Sequence, residues 1–228
     1  MSVKFTRREF LAASLVSCVA ALVGCASRSQ SAQEGAASTT AGSAASNNAS
    51  ASGSTSAATQ PAGNGKALVV YFSYTGHLDT MAHWLADETG SDLVRVTAVD
   101  AYPDDYDATV ERAKTELDNG TRPQINVNLT PEQLKEYDTV FFGFPVWWYD
   151  LPMPMVTFLE NNVLSGKTVI PLLSHEGSSN GANALPNLEK LAKGATVRSQ
   201  DALSIHGKDV DGSESAVRSW ATDLGYSK

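Results

Sequence analysis

The chain has 228 residues, with 17 Lys and Arg against 25 Asp and Glu, and a formal net charge of −8. Residues 66–228 hold 13 of those basic and 23 of those acidic side chains, a net of −10 on a length that suits one domain with a real core. So acidic a surface repels nucleic-acid phosphates and suits a partner or substrate of positive charge.

Taken in order, the chain opens with Thr6-Arg7-Arg8-Glu9-Phe10-Leu11, then an apolar run too short to span a bilayer, then Cys25. A twin arginine ahead of such a run resembles the signal that sends folded proteins out of the bacterial cytoplasm. Leu22-Val23-Gly24-Cys25 resembles a lipobox. The expectation is an export signal over residues 1–24, lipidation at Cys25, and anchorage to the extracytoplasmic face of the cell membrane. Residues 25–65 are almost all Ser, Ala, Gly, Asn, Thr and Gln. With few bulky apolar groups they cannot offset their ordering entropy, and a disordered tether is expected. The two cysteines are Cys18 and Cys25. The region beyond the tether has none, which excludes disulfides, thiol catalysis and cysteine-held iron–sulfur or zinc sites there. His77, His83, His175 and His206 show no metal-ligand spacing.

The domain starts at Lys66. Ala67–Phe72 is a short apolar run rich in β-branched and aromatic residues, the pattern of a buried parallel strand. It stops at Ser73-Tyr74-Thr75-Gly76-His77, after which Leu78, Met81, Ala82, Leu85 and Ala86 lay an apolar stripe along a helix. A strand, a loop of hydroxyls and glycine, and a helix N-terminus together make an anion site, because unpaired N–H groups and the positive helix end face one small volume. An ordinary capped turn fits these residues equally well. Neither G-x-x-x-x-G-K-[ST] nor a strand-borne G-x-G-x-x-G occurs, which argues against a nucleoside triphosphatase or a dinucleotide dehydrogenase.

Further strands are expected at Asp92–Ala98, Thr139–Phe144, Thr168–Leu173 and within Ala195–Ile205. Helices are expected over Asp104–Leu117, briefly from Pro131, and over Leu151–Leu164, Asn183–Ala192 and Ser213–Leu224. Such alternation gives an α/β fold whose parallel sheet is covered on both faces, with ligands at the carboxyl ends of the strands. Three loops meet there: Ser73–His77, Pro145–Pro152 and Ser174–Gly181. In the second, Trp147, Trp148 and Tyr149 are consecutive and cannot all point into one core. They form either a stacking platform for a flat ring or a lid on the sheet edge. The third is polar and glycine-rich, either a set of donors for a heteroaromatic edge or a plain surface loop.

These three loops, with the run Gly143 to Glu160 (GFPVWWYDLPMPMVTFLE), resemble the flavodoxin family over essentially all of residues 66–228. The resemblance implies a three-layer, doubly wound parallel sheet of five strands in the order 2-1-3-4-5, binding FMN without a covalent bond. It implies a phosphate loop of Ser73, Tyr74, Thr75, Gly76 and His77 with the backbone of Leu78. Pro145, Val146, Trp147, Trp148 and Tyr149 would line the isoalloxazine, and Ser174, His175, Glu176, Gly177 and Ser178 would meet its edge. The chain departs from the family at His77 where Asn is usual, at Leu78 where a phosphate-binding Thr is usual, and at Ser179 where Gly is usual. The implied function is electron transfer between extracytoplasmic redox partners. Reduction of a quinone or other small acceptor, and a flavin-less binding module, are the alternatives. A different class stays open too: Gly177-Ser178-Ser179-Asn180-Gly181 fits G-x-S-x-G, with Asp201 and His206 following in hydrolase order.

Overall fold

The computed structural model describes residues 65–177 and 181–228. The export signal, Cys25, the tether, Ser178 and Ser179 lie outside the described residues. Strand β1 (Ala67–Tyr71) leads into helix α1 (His77–Thr89), and β2 (Asp92–Arg95) and β3 (Thr97–Ala98) follow. Then come α2 (Tyr106–Asp118), β4 (Ile125–Asn126), α3 (Pro131–Leu134) and β5 (Thr139–Pro145). The chain continues through α4 (Met153–Asn161), β6 (Thr168–His175), α5 (Ala184–Leu191), β7 (Thr196–Val197), β8 (Leu203–His206) and α6 (Glu214–Asp223).

The main sheet is parallel throughout, in the order β2-β1-β5-β6, and β7 and β8 share the outer edge of β6. β7 pairs with Thr168 and Val169, whereas β8 pairs with Leu172 to His175. The fifth strand is thus one strand interrupted by a 3-10 turn at Ser199–Asp201. The expected order 2-1-3-4-5 stands in this form, as an α/β doubly wound fold.

Side chains alternate along each strand and so build a core on each face. Leu68, Val70, Val140, Phe142, Phe144 and Phe158 occupy one side. Val69, Tyr71, Phe141, Leu78, Met81 and Val217 occupy the other, under α1 and α6. Burial on both faces is why β1, β5 and β6 read as continuous apolar runs, each large side chain contributing roughly 1.5–3 kcal/mol of transfer free energy.

Several boundaries differ from expectation: α4 spans Met153–Asn161 where Leu151–Leu164 is expected, β5 runs on to Pro145, and two strands differ more. The single strand expected over Asp92–Ala98 is broken: the Val96 N–H still donates to Tyr71 O at 2.8 Å, but Thr97 and Ala98 turn away and pair antiparallel with β4. That ribbon forms because a second segment arrives beside it, and β4 carries no apolar run of its own. The strand expected to stop at Leu173 continues to His175, so Ser174 and His175 are ladder residues and not loop residues.

Candidate functional site

A cavity of about 370 Å³ opens at the carboxyl ends of β1, β5 and β6, where the strand order changes direction. Its first wall is the turn into α1. Helix α2 is capped by Asp105, whose carboxylate accepts from Ala108 N at 2.8 Å, and α3 by a Thr130–Gln133 capping box. Helix α1 has no such cap: Gly76 precedes it at φ 96°, a left-handed conformation that glycine adopts freely, and no side chain caps the end. Its first N–H groups therefore have no partner within the helix.

Tyr74, Thr75 and His77 line the cavity. Ser73 is 7 % exposed, and its hydroxyl is buried without a hydrogen-bond partner among the described residues. An open helix end facing a cavity fits a bound oxyanion such as phosphate. Ser73, Gly76 and Leu78 do not line the cavity. The Leu78 side chain is buried in the core beneath the sheet, so only its backbone stands at the helix end.

The second wall is the aromatic turn. Trp147 N donates to Asp150 O at 3.0 Å and Asp150 N to Trp147 O at 2.9 Å, closing a two-residue turn with Trp148 at φ 49° and Tyr149 at φ 66°. Two consecutive left-handed residues are the signature of a type I′ turn, which normally takes Asn-Gly. The strain is held from three directions. Asp150 accepts from Leu151 N at 2.7 Å and from Asn187 Nδ2 at 2.5 Å. Asn183 N donates to Tyr149 O at 3.2 Å, and Trp148 Nε1 donates to Val110 O at 3.1 Å on α2.

Trp147 packs edge-on against Tyr102 at 5.0 Å, Phe72 at 5.4 Å and Tyr74 at 5.9 Å. Trp148 and Tyr149 stay 41 % and 52 % exposed. The two readings of this segment are thus divided among its residues. Trp147 is packed as a lid while also lining the cavity, and the next two line it with exposed rings, beside Pro145 and Val146.

Glu176 and Gly177 follow Ser174 and His175 in the third wall, and the loop is tied down where Val146 N donates to Ser174 O at 2.8 Å. The His175 ring lies 5.3 Å from that of His206 on β8, and Glu176 Oε1 lies 3.7 Å from His77 Nδ1. A fourth wall comes from α2, through Tyr106, Thr109, Val110 and Ala113. Their spacing of three, four and seven residues puts them on one helix face, which the sequence displays but does not assign to a ligand.

A flavodoxin family model matches residues 66–223. The chain belongs to the flavodoxin family. A solved chain assigned as a flavoprotein from Bacteroides uniformis is 30 % identical, with a TM-score of 0.59, covering 69 % of this chain and 98 % of that one. Its counterpart from Bacteroides eggerthii is 29 % identical, with a TM-score of 0.58, covering 71 % of this chain and 99 % of that one. A Lactobacillus acidophilus flavoprotein, solved in complex with FMN, shares the fold at 22 % identity and a TM-score of 0.52, over 65 % of this chain and 97 % of its own.

In this flavodoxin domain the lid has a rigid backing. Tyr102 donates its hydroxyl to the buried Glu116, Arg112 Nε bonds the same carboxylate at 2.8 Å, and the Arg112 guanidinium lies 4.2 Å from the Tyr102 ring centre. Burial first, and then the Glu116 hydrogen bond, push the Tyr102 phenol well above its ordinary range, so it remains a donor. Of the hydrolase reading, Ser179 lies outside the described residues, and Asp201 and His206 do not pair. The Asp201 carboxylate is bonded to Arg198 Nε at 2.5 Å, and His206 Nδ1 accepts from Lys208 N at 3.3 Å. Asp201 therefore does not orient His206.

Proposed function

We propose that the domain binds FMN in this cavity and transfers electrons between redox partners outside the cytoplasm, anchored to the membrane by lipid at Cys25. The observation that carries the reading is the junction, on a single cavity, of the loop into the uncapped α1 end, through Tyr74, Thr75 and His77, and the strained aromatic turn. One end suits a phosphate and the other a flat ring.

FMN held there would supply reversible one- and two-electron chemistry. The protein's part is to bind and position it. The N–H groups of Gly76 to Leu78, with Ser73, Thr75 and His77, would hold the phosphate. Trp148 and Tyr149 would cover the ring, Pro145 and Val146 would support it, and Ser174 to Ser178 would meet its polar edge. No side chain is needed as general acid or nucleophile. Export fits the cofactor: a route for folded proteins lets a non-covalent flavin be captured inside the cell before transport.

A second reading, direct reduction of a quinone or similar planar acceptor, is favoured by the exposure of Tyr106, Trp148 and Tyr149 together at the cavity mouth. Both readings share one test. The purified chain titrated with FMN is expected to take up a two-banded visible spectrum and to quench the flavin's fluorescence. A colourless protein that leaves the flavin spectrum unchanged would leave only the flavin-less binding module.

A further inference from the structure

Helix α2 closes one side of the cavity, yet its most deeply buried charges do not face that cavity. Arg112 and Glu116 stand one turn apart on α2, and neither is among the lining residues. Glu116 is 7 % exposed, and the Arg112 side chain 22 %. Desolvating a buried pair offsets much of its attraction, and apolar residues of similar volume are often as stable. Stability alone therefore gives no reason for a carboxylate at this position, and its geometry does.

The pair holds the segment that joins β3 to α2. Arg112 donates to Asp100 O at 2.9 Å, to Ala101 O at 3.0 Å and, through Nε, to Glu116 at 2.8 Å. The Tyr102 hydroxyl donates to the same carboxylate, and the guanidinium lies over the Tyr102 ring, 4.2 Å from its centre. One residue on, Pro103 O accepts from Thr109 Oγ1 at 2.8 Å, a further tie to α2. Tyr102 is thus gripped at its far end and over its ring. Its remaining neighbour is Trp147, edge-on at 5.0 Å, nearer than Phe72 at 5.4 Å or Tyr74 at 5.9 Å. Trp147 lines the cavity.

We propose that Glu116, held by Arg112, is a positioning residue of the cofactor cavity: through Tyr102 it fixes Trp147, and with it the wall that meets a bound isoalloxazine. This rests on the FMN reading above. A phenol tied at its hydroxyl cannot change rotamer, so the indole rests against a fixed surface. Without the tie the Tyr102 ring regains its rotamers, and arrangements with Trp147 displaced become populated. Affinity for the flavin ring then falls by the fraction of molecules that keep the competent wall. Glu116 touches no part of the cavity and acts only through this relay.

Riboflavin and FMN titrations of the full chain, followed by flavin fluorescence, test the relay. Because the effect belongs to the ring end, Tyr102→Phe should weaken both flavins by the same factor, about fivefold. Affinities are read far from each variant's urea midpoint, where the chain is fully folded, so lost stability alone would not move them. In a Glu116→Met background Tyr102→Phe should have no further effect, since its hydroxyl has already lost its acceptor. Unchanged affinity in Tyr102→Phe, a loss confined to FMN, or equal losses in both backgrounds overturns the proposal. Should Glu116→Met fail to fold, Tyr102→Phe alone decides.

NMR of the indole N–H groups in the flavin-free chain gives a readout independent of cofactor. The chain has four tryptophans, and Trp147→Phe identifies the resonance of interest. That resonance should move in Tyr102→Phe, while that of Trp220, which packs on Phe141 against the opposite face of the sheet, stays in place. A stationary Trp147, or a shift shared by Trp220, overturns the assignment. If neither flavin binds the unaltered chain, the FMN reading fails, and these spectra still decide whether Tyr102 positions Trp147.

Discussion

Trp148 and Tyr149 are held in the left-handed region, where an L side chain costs roughly 1–2 kcal/mol per residue. That strain is held by the Asp150 carboxylate bridging Leu151 and Asn187, and by the bonds of Trp148 Nε1 to Val110 O and of Asn183 N to Tyr149 O. The turn keeps two large rings at a solvent-facing mouth, where hydrophobic burial alone would have drawn them inward. Tyr149→Asn tests this division between stability and function. Asn tolerates the left-handed conformation, and the main-chain bond from Asn183 remains available, so urea unfolding should show a gain of up to about 1 kcal/mol. The same variant should bind FMN more weakly, because a ring has been lost from the cavity wall. A variant that is less stable would mean that the Tyr149 ring stabilises the turn more than its backbone strains it.

Strand β5 is the centre of the sheet, and Gly143 is its one residue without a side chain. Gly143 sits in register with Tyr71 of β1. A Cβ there would come within 2.8 Å of Tyr71 Cβ and 3.4 Å of Leu78 Cδ1, so the absence of a side chain lets α1 settle onto the sheet at the height its open end requires. Tyr71 is itself fixed, donating to Asp79 at 2.7 Å. Gly143→Ala is expected to destabilise by about 1–3 kcal/mol through overpacking, measured by chemical denaturation. Since the clash lies under the first turn of α1, FMN affinity should fall in the same variant. Sheet order also explains the interrupted fifth strand. Only the edge of β6 supports it, and a 3-10 turn can leave and rejoin an edge without breaking a ladder on a second side.

Over the whole molecule the excess of acidic groups makes acid the condition that exposes its electrostatics. Lys66 bonds Asp92 Oδ2 at 2.7 Å, joining the start of β1 to β2, and Arg122 bonds Glu160 at 2.6 and 2.7 Å, joining the approach to β4 to α4. The Lys66 hydrogen bond holds the Asp92 carboxyl below its ordinary range, and the Arg122 hydrogen bond does the same for Glu160. A depressed carboxyl contributes stability that is complete above its ordinary titration and is lost as pH falls through the depressed one. Stability is therefore expected to hold near neutral pH and to decline below about pH 4. Glu160→Gln should remove no more than about 1 kcal/mol at pH 7, because both partners are well exposed, and should flatten the acid limb. Urea midpoints at pH 7 and pH 3 for the two proteins check both statements.

The sequence alone determined the alternation of strands and helices, the family, and the three loops at the strand ends. Burial on both faces leaves continuous apolar runs such as Ala67–Phe72 and Thr139–Phe144, and a run of that kind is legible one residue after another. The motif Gly143 to Glu160 was legible for the same reason, since its residues are contiguous. What tertiary structure alone decided are contacts between segments distant in the chain. The α2 wall from Tyr106 to Ala113 belongs to the cavity because of how α2 is laid across the sheet. The β3–β4 ribbon exists because two short polar-flanked segments happen to meet, and β6 runs on through Ser174, paired with both β5 and β8, to His175, paired with β8. His77 and Glu176 stand far apart in sequence and come within 3.7 Å only where the start of α1 meets the end of β6. Periodicity records how each segment meets its own layer, whereas the meeting of layers is set by sheet order and packing, which no single segment encodes.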